Sequence, residues 1–232
     1  MSFAGRQQAT QVTSPVGQMF DELYASTERY WWDKEDPYNT SADAYPYSLI
    51  TQMMLRRLPS RAPAGARALD LGAGEGADAI RLALLGYKVT AVEISEEGCR
   101  KILRFATGAG AEVEAVHGDV SAYEPGGPFD VVVCNGVLHY VEDKLPVIER
   151  MQAATAPGGL NVISVWSTYS PVPEPHMVVP VFCDDEDGTI TKSYSGWDTE
   201  LLYFERGKPE TSHSTAEPHV HSHIKLIARK AR

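Results

Sequence analysis

The sequence has few of the features that mark secreted or membrane-bound proteins. Its three cysteines, Cys99, Cys134 and Cys183, are far apart, and no two have Cys-x-x-Cys spacing. This excludes a disulfide framework and a cysteine-rich zinc site. No stretch approaches the roughly 20 apolar residues of a membrane helix, and the first residues are polar, unlike a signal-peptide core. We therefore expect a cytoplasmic protein without a membrane partner.

Basic residues are also scarce. The 232 residues include 21 Lys and Arg against 31 Asp and Glu, which gives a formal net charge of −10. Proteins that bind nucleic-acid phosphates or anionic lipids need dense Lys and Arg, so neither partner is expected and a small-molecule partner is favoured. The hydrophobic content of 43% is ordinary for a globular domain. The sequence leaves the oligomeric state open.

Strand-like and helix-like segments alternate along the middle of the chain. This order predicts an α/β fold in which a parallel sheet is covered by helices on both faces. Two later apolar runs predict an antiparallel pair that completes the sheet. The strand-like runs are residues 66–71, 88–93, 112–116, 129–134, 159–166, 201–205 and 224–228, and the helix-like segments are residues 76–85, 96–105 and 142–154.

The flanks of this core differ from it in composition. Residues 1–14 are rich in Gln, Ser and Thr and are expected to be flexible. The sequence predicts a helical cap with an aromatic segment at residues 15–60. It predicts the main α/β domain at residues 61–232. Within that domain, residues 167–196 contain four prolines and an acidic run, which predicts a lid insertion because connections of this length are usually functional.

A glycine-rich turn is the most specific motif in the sequence. A strand ending in Asp70 and Leu71 runs into Gly72, Gly74 and Gly76 and then into a helix. Glycine permits a tight turn and a close ligand approach, and the helix N-terminus adds free N–H donors. The Gly-x-Gly-x-Gly spacing disfavours a nicotinamide-dependent oxidoreductase, and the absence of Lys-Ser/Thr disfavours a phosphate-binding ATPase loop. A purely structural glycine turn is the plainer alternative.

The motifs around this turn resemble those of class I S-adenosylmethionine-dependent methyltransferases. The resemblance covers residues 66–166 and implies a single-domain, Rossmann-like, seven-stranded sheet whose last strand is antiparallel, with S-adenosylmethionine as cofactor. It is carried by Asp-Leu-Gly-Ala-Gly-Glu-Gly at 70–76, Glu93, Gly-Asp-Val at 118–120, Phe-Asp-Val-Val-Val at 129–133 and Pro-Gly-Gly-Leu at 157–160.

The resemblance also implies cofactor-binding residues. In such enzymes the glycine turn holds the methionine part, the acidic residue at position 93 holds the ribose, and Asp119 faces the adenine amino group with Val120 beside it. Asn135 and Gly136 border the methionine part. The full implied set is Asp70, Gly72, Ala73, Gly74, Gly76, Glu93, Ile94, Asp119, Val120, Asn135 and Gly136.

Within the superfamily, the C-terminal part is most similar to the tellurite-methyltransferase (TehB-like) group. Gly86-Tyr87, the segment 158–163 and the ending 226–230 carry this likeness. The His-Arg pair of that group is not kept, because His213 is followed by Ser214. This departure disfavours tellurite chemistry and favours an organic substrate.

Residues just beyond the strand ends are candidates for chemistry, because ligands of open α/β sheets bind there. Asn135, His139 and Tyr169 are the catalytic candidates. His139 is either a base or a packed, hydrogen-bonded residue. Trp166 and Ser167 are candidates for the substrate pocket.

An aromatic segment in the N-terminal cap is a second source of pocket residues. If this segment folds over the cofactor, its rings form a wall that attracts the sulfonium by cation–π interaction. The alternative is a hydrophobic anchor for the segment. The residues are Tyr30, Trp31, Trp32 and Tyr38.

Three histidines, His219, His221 and His223, alternate near the C-terminus. On a strand they share one face, where imidazoles can bind a metal or supply a base. A solvated strand entry is the plainer interpretation, and we expect no metal.

Together these observations predict a methyltransferase that acts on a small molecule by in-line transfer in an aromatic-lined pocket. One alternative is a methyltransferase-like enzyme that cyclises S-adenosylmethionine itself to azetidine-2-carboxylate and releases methylthioadenosine. Another is a cofactor-binding module without catalysis.

Overall fold

The computed structural model describes residues 14–30, 48–173, 177–210 and 219–232. Helices and strands alternate along the chain, as the sequence predicts. The helices are α1 (Pro15–Ser26), α2 (Leu49–Leu55), α3 (Ala77–Leu84), α4 (Glu96–Ala109), α5 (Leu145–Ala154) and α6 (Thr189–Ser193), and a short 3₁₀ helix spans Leu138–Tyr140. The strands are β1 (Arg67–Leu71), β2 (Lys88–Glu93), β3 (Val113–His117), β4 (Phe129–Asn135), β5 (Thr155–Trp166), β6 (Asp198–Glu210) and β7 (His219–Arg229).

The strands form one seven-stranded sheet in the order β3-β2-β1-β4-β5-β7-β6. Strands β1 to β5 pair in parallel, whereas β7 is antiparallel to both β5 and β6. The predicted Rossmann-like sheet with an antiparallel last strand is therefore confirmed. Because the order reverses between β1 and β4, a crevice forms at their carboxyl ends, which is where ligands of such sheets bind.

The two faces of the sheet are covered by different helices. On one face, Val133, Val162 and Ile227 pack with Ile50 and Met54 of α2. This division follows from the alternation of side chains along each strand. Residues of the same strands that lie nearer the cavity are polar; they lie toward the carboxyl end in β4 and β5 and toward the amino end in the antiparallel β7. This face therefore changes from apolar core to polar cavity wall.

The second face is closed in part by the predicted lid segment. Ile190 and Tyr194 of this segment are completely buried in the core beside Ile148 and Met151 of α5. Asn161 in β5 donates to the Tyr194 hydroxyl at 2.8 Å and accepts from Thr155 Oγ1 at 2.8 Å. Part of residues 167–196 is therefore a core element of the domain.

Element boundaries differ from the sequence prediction mainly at the C-terminus. Strands β6 and β7 are much longer than the runs 201–205 and 224–228, because their antiparallel pairing continues as far as Glu210 and His219. Within the described residues, no helix has both the length and the apolar character needed to span a membrane.

Candidate active site

A cavity of about 890 Å³ lies at the carboxyl ends of the central strands. The glycine turn, the ends of β2 and β4, and the polar ends of β5, β6 and β7 all contribute to its wall. Helix α1 covers part of it with Phe20 and Tyr24, two aromatic residues that the sequence argument missed. The cavity therefore joins the predicted cofactor residues to a region where a second ligand fits.

The glycine turn depends on backbone conformations that other residues rarely adopt. Gly72 has φ +70°, and a Cβ atom there would lie 2.2 Å from Cγ2 of Val137. Gly74 has φ +58° and donates its N–H to Oε2 of Glu93 at 2.7 Å. The backbone thus lies open to the cavity, where a ligand can approach it closely.

Glu93 lies buried at the end of β2, beside the glycine turn. Its second oxygen accepts from the backbone N–H of Ser95 at 2.9 Å. Burial raises the pKa of Glu93 to about 7, although hydrogen bonds from the backbone of Ser95 and Gly74 oppose the shift. Each carboxylate oxygen keeps a further lone pair, so the group can still accept hydrogen bonds from a ligand in the cavity.

Asp70 and Asp78 form a second acidic site in the cavity. Oδ2 of Asp70 is buried and has no hydrogen-bond partner. Asp78 accepts from Thr51 Oγ1 at 2.8 Å and from Asn135 Nδ2 at 3.1 Å. Burial raises the pKa of both carboxyl groups, and the proximity of Asp78 adds to the shift at Asp70. The orphaned oxygen of Asp70 fits a cationic donor group such as the ammonium of S-adenosylmethionine.

Asp78 and Thr51 were not predicted as site residues. The local sequence offered one weak signal, because Asp78 follows the last glycine of the turn by two residues in the first turn of α3. Ser48 also contributes by accepting from Asn135 Nδ2 at 3.3 Å. Asn135 is therefore held by α2 and α3 in the cavity wall, at the position where β4 ends.

His139 lies in a stack of rings at the other side of the cavity. Its imidazole is parallel to Trp166, with ring centroids 4.1 Å apart, and His221 stacks on Trp166 at 4.5 Å. His139 is 2% exposed, and its Nδ1 has no hydrogen-bond partner. Burial lowers the pKa of His139 well below its usual range, and the nearby His223, His221 and Lys144 lower it further. The ring is thus neutral, and its Nδ1 makes no hydrogen bond within the described part of the protein.

Strands β6 and β7 supply three further titratable residues, of which the sequence argument named His223 and missed Glu205 and Lys225. Glu205, His223 and Lys225 all line the cavity. Lys225 Nζ donates to Oε2 of Glu205, and Nδ1 of His223 lies 3.1 Å from the same oxygen, outside hydrogen-bond geometry. His221 and His223 do share one face, as predicted, and the His219 side chain lies outside the described residues. Across the described ranges, no group of three metal-ligating side chains comes together.

The remaining predicted cofactor residues lie close to one another. Gly76 begins α3 in a left-handed conformation and contacts Ile102 rather than the cavity. All the other predicted cofactor residues line the cavity. They are Asp70, Gly72, Ala73, Gly74, Glu93, Ile94, Asp119, Val120, Asn135 and Gly136.

Some predicted pocket residues lie elsewhere. Tyr169 is 59% exposed beneath the Arg206 guanidinium and does not line the cavity. Ser167 is buried, but it bridges to Asp184 and hydrogen-bonds to Ser222, which takes the chain away from the site. Trp166, in contrast, lines the cavity.

The predicted N-terminal aromatic wall is described only in part. Tyr30 donates its backbone N–H to Oε2 of Glu75 at 2.8 Å, so its segment touches the glycine turn. Trp31, Trp32 and Tyr38 lie outside the described residues, as does His213. The aromatic wall that the structure does show comes from Phe20, Tyr140 and Trp166.

A buried ion pair joins the N-terminal segment to the glycine turn. Lys101 Nζ donates to Oε1 of Glu75 at 2.8 Å and to the carbonyl of Thr27 at 2.6 Å. The side chains of Lys101 and Glu75 are 3% and 0% exposed. Because the pair connects α4, the turn and residues 27–30, it holds the cap segment against the cofactor-binding residues.

Comparison with known proteins agrees with this site. The profile of the methyltransferase-domain family matches residues 42–207, more than two thirds of the chain. The chain therefore belongs to the methyltransferase-domain family.

Individual relatives and solved structures define the likeness further. A ubiquinone biosynthesis O-methyltransferase of Xanthomonas axonopodis pv. citri (strain 306) is 30% identical over 146 residues, covering 62% of this chain and 59% of that protein. A ubiquinone biosynthesis O-methyltransferase of Bordetella pertussis is 28% identical over 158 residues, covering 65% of this chain and 63% of that protein. The chain thus matches less than two thirds of these relatives' length.

Solved structures share the fold at lower identity. TehB from Haemophilus influenzae has a TM-score of 0.65 at 20% identity, covering 81% of this chain and 64% of that one. Magnesium protoporphyrin IX methyltransferase from Synechocystis PCC 6803, with bound S-adenosylhomocysteine, has a TM-score of 0.64 at 16% identity, covering 93% of this chain and 98% of that one. These likenesses support the fold.

Proposed function

We propose that the protein transfers the methyl group of S-adenosylmethionine to an oxygen atom of a small organic acceptor, with His139 as the proton acceptor. One observation carries the proposal: His139 lines the same cavity as the glycine turn, and its buried Nδ1 has no hydrogen-bond partner. The relatives named O-methyltransferases favour oxygen as the acceptor atom. The scarcity of Lys and Arg favours a small acceptor in the cytoplasm over nucleic acid or membrane.

The chain's own residues supply binding and orientation. Bound S-adenosylmethionine contributes an electrophilic methyl group for in-line displacement. Glu93 would accept hydrogen bonds from the ribose hydroxyls, and Asp70 would accept from the ammonium group. Asp119 and Val120 would bind the adenine. Asn135 keeps Asp78 in place and borders the methionine part.

His139 supplies the proton transfer. A neutral imidazole near the acceptor takes the hydroxyl proton as the new C–O bond forms, and such general-base catalysis contributes about 10²- to 10⁴-fold in rate. Stacking on Trp166 holds the ring in one orientation. The rings of Phe20, Tyr140 and Trp166 exclude water and attract the sulfonium by about 0.5–2 kcal/mol each when they face it.

The test is methyl transfer to a panel of phenols and aliphatic alcohols, with S-adenosylhomocysteine as the measured product. His139→Gln should bind S-adenosylhomocysteine normally in calorimetry but lose about 100-fold or more in kcat. Tyr169→Phe is the matched control, because Tyr169 lies outside the cavity, and it should keep full activity. Unchanged turnover in His139→Gln would contradict the role of His139. Failure of the wild type to bind S-adenosylhomocysteine would contradict the proposed function, whereas binding without turnover of any acceptor would favour a cofactor-binding module without catalysis.

A second candidate, cyclisation of S-adenosylmethionine, is favoured by the carboxyl pair Asp70 and Asp78. In this reaction a carboxylate removes a proton from the α-ammonium, the amine nitrogen bonds to Cγ, and the Cγ–S bond breaks. The products are azetidine-2-carboxylate and methylthioadenosine. Incubation without any acceptor separates the candidates. Methylthioadenosine would support cyclisation, whereas S-adenosylhomocysteine that forms only with an acceptor would support methyl transfer.

A further inference from the structure

The carboxyl groups that line the cavity are unevenly distributed, whereas its two fixed cations among the described residues are Arg81 in α3 and Lys225 in β7. Seven of its eight carboxyl groups come from residues 70–143, on the strands and loops around the glycine turn, and only Glu205 comes from β6. Lys225 and His223 lie on β7, and Lys225 is four strand spacings from Glu93, about 19 Å across the sheet. The seven are Asp70, Glu75, Asp78, Glu93, Asp119, Glu142 and Asp143.

The end formed by β6 and β7 is rich in basic groups. Lys225 is 4% exposed and His223 lies beside it on the same face of β7, because they are two residues apart. Both converge on a single oxygen, Oε2 of Glu205. His139 and His221 lie next to this cluster around Trp166. The carboxylate of Glu205 therefore contacts one cation and one imidazole, and two further imidazoles lie nearby on Trp166.

This arrangement orients the basic groups toward the cavity. Glu205 stays ionised, because its close contacts with His223 and Lys225 lower its pKa to about 2 against the opposing effect of burial. Nδ1 of His223, like Nδ1 of His139, is buried without a hydrogen-bond partner. Both Lys225 and His223 also line the cavity, and a hydrogen bond from such a group to a charged ligand is stronger in this desolvated site than in water.

We propose that Lys225 and His223, positioned by Glu205, form a subsite for a carboxylate group carried by the acceptor. The subsite rests on the proposed function, because it defines the class of acceptor that binds in the same cavity. The acidic end of the cavity holds the cationic cofactor, and the basic end holds the anionic part of the acceptor beside His139. The aromatic rings of Tyr140 and Trp166 between them suit a planar acceptor.

Binding of three small probes to the protein saturated with S-adenosylhomocysteine tests this subsite by calorimetry. Benzoate, benzyl alcohol and benzylamine share a ring and differ in the charge of one group. Benzoate should bind best. Lys225→Met should weaken benzoate binding by about 10- to 100-fold, as expected for a lost hydrogen bond between charged groups. Lys225→Arg should restore most of it.

Glu205→Gln gives a prediction of opposite sign. It removes the negative charge beside the subsite, so benzoate binding should stay equal or become tighter. Glu200→Gln is the matched control, because Glu200 lies on the same strand and pairs with Arg57 and Arg229 away from the cavity. It should leave benzoate binding unchanged. Thermal unfolding and affinity for S-adenosylhomocysteine check the fold of every variant.

Three results would overturn the proposal: preference for benzylamine or equal binding of all probes, no saturable binding of benzoate, or Lys225→Met behaving as wild type. The experiment is independent of turnover. If benzoate binds as expected but no acceptor is methylated, the subsite stands and methyl transfer fails. If an uncharged acceptor is methylated and benzoate shows no preference, the subsite alone fails.

Discussion

Replacing Lys101 by Met should lower the free energy of unfolding by about 3–5 kcal/mol, because the substitution leaves the carboxylate of Glu75 buried without its cation. Both side chains are almost completely inaccessible, at 3% and 0% exposure, so solvent screening gives little relief. The hydrogen bond to the carbonyl of Thr27 is lost as well. For a chain of this size the loss corresponds to a fall in Tm of about 6–20 °C.

The assay is urea unfolding followed by tryptophan fluorescence. The double variant Lys101→Met/Glu75→Gln should recover part of the loss, because it removes the uncompensated charge. Arg100→Met is the matched control on the same helix. Arg100 pairs with Glu96 and Glu97 but is 55% exposed, so its loss should cost less than about 1 kcal/mol. A cost below about 1 kcal/mol for Lys101→Met would refute the reasoning.

Three further changes test other parts of the site and core. Gly72→Ala should weaken S-adenosylhomocysteine binding by at least about tenfold in calorimetry, because the added Cβ would collide with Val137 and φ at this position is +70°. Gly126→Ala is the control, because Gly126 has open space around it, and this variant should bind S-adenosylhomocysteine as the wild type does. The pKa of Glu93 is about 7, so its carboxyl group ionises as the pH rises through 7. Cofactor affinity should therefore increase over the same pH range. Glu93→Gln should abolish this pH dependence. Tyr194→Phe leaves the buried Nδ2 of Asn161 without its acceptor and should cost about 1–3 kcal/mol in urea unfolding; a cost under about 0.5 kcal/mol would contradict the role of this bond.

The parts of the site that follow from local sequence were predictable. The glycine turn requires residues that tolerate positive φ, and its place between a strand and a helix is set within a few residues. Glu93 lies near it because parallel neighbouring strands end at the same edge of the sheet. The same rule places Asn135 and Trp166 in the cavity. The antiparallel last strand was expected only through the family resemblance.

Other parts of the site depend on contacts between distant segments. Asp78 meets Thr51 only because α2 packs on the sheet beside α3, and Glu205 meets Lys225 through the register of β6 with β7. Tyr169 follows a strand end, as His139 does, but the bridge of Ser167 to Asp184 takes it to the surface. Sequence spacing carries no signal for these outcomes.

The sequence by itself therefore determined the cofactor half of this protein, because that half is built from short motifs whose backbone needs are local. Only the tertiary structure decided the acceptor half. Its walls come from α1, the 3₁₀ helix and the β6–β7 pair, which lie far apart in the chain and meet through strand order and register. The charges of the proposed acceptor subsite lie at that meeting point, on Glu205, His223 and Lys225.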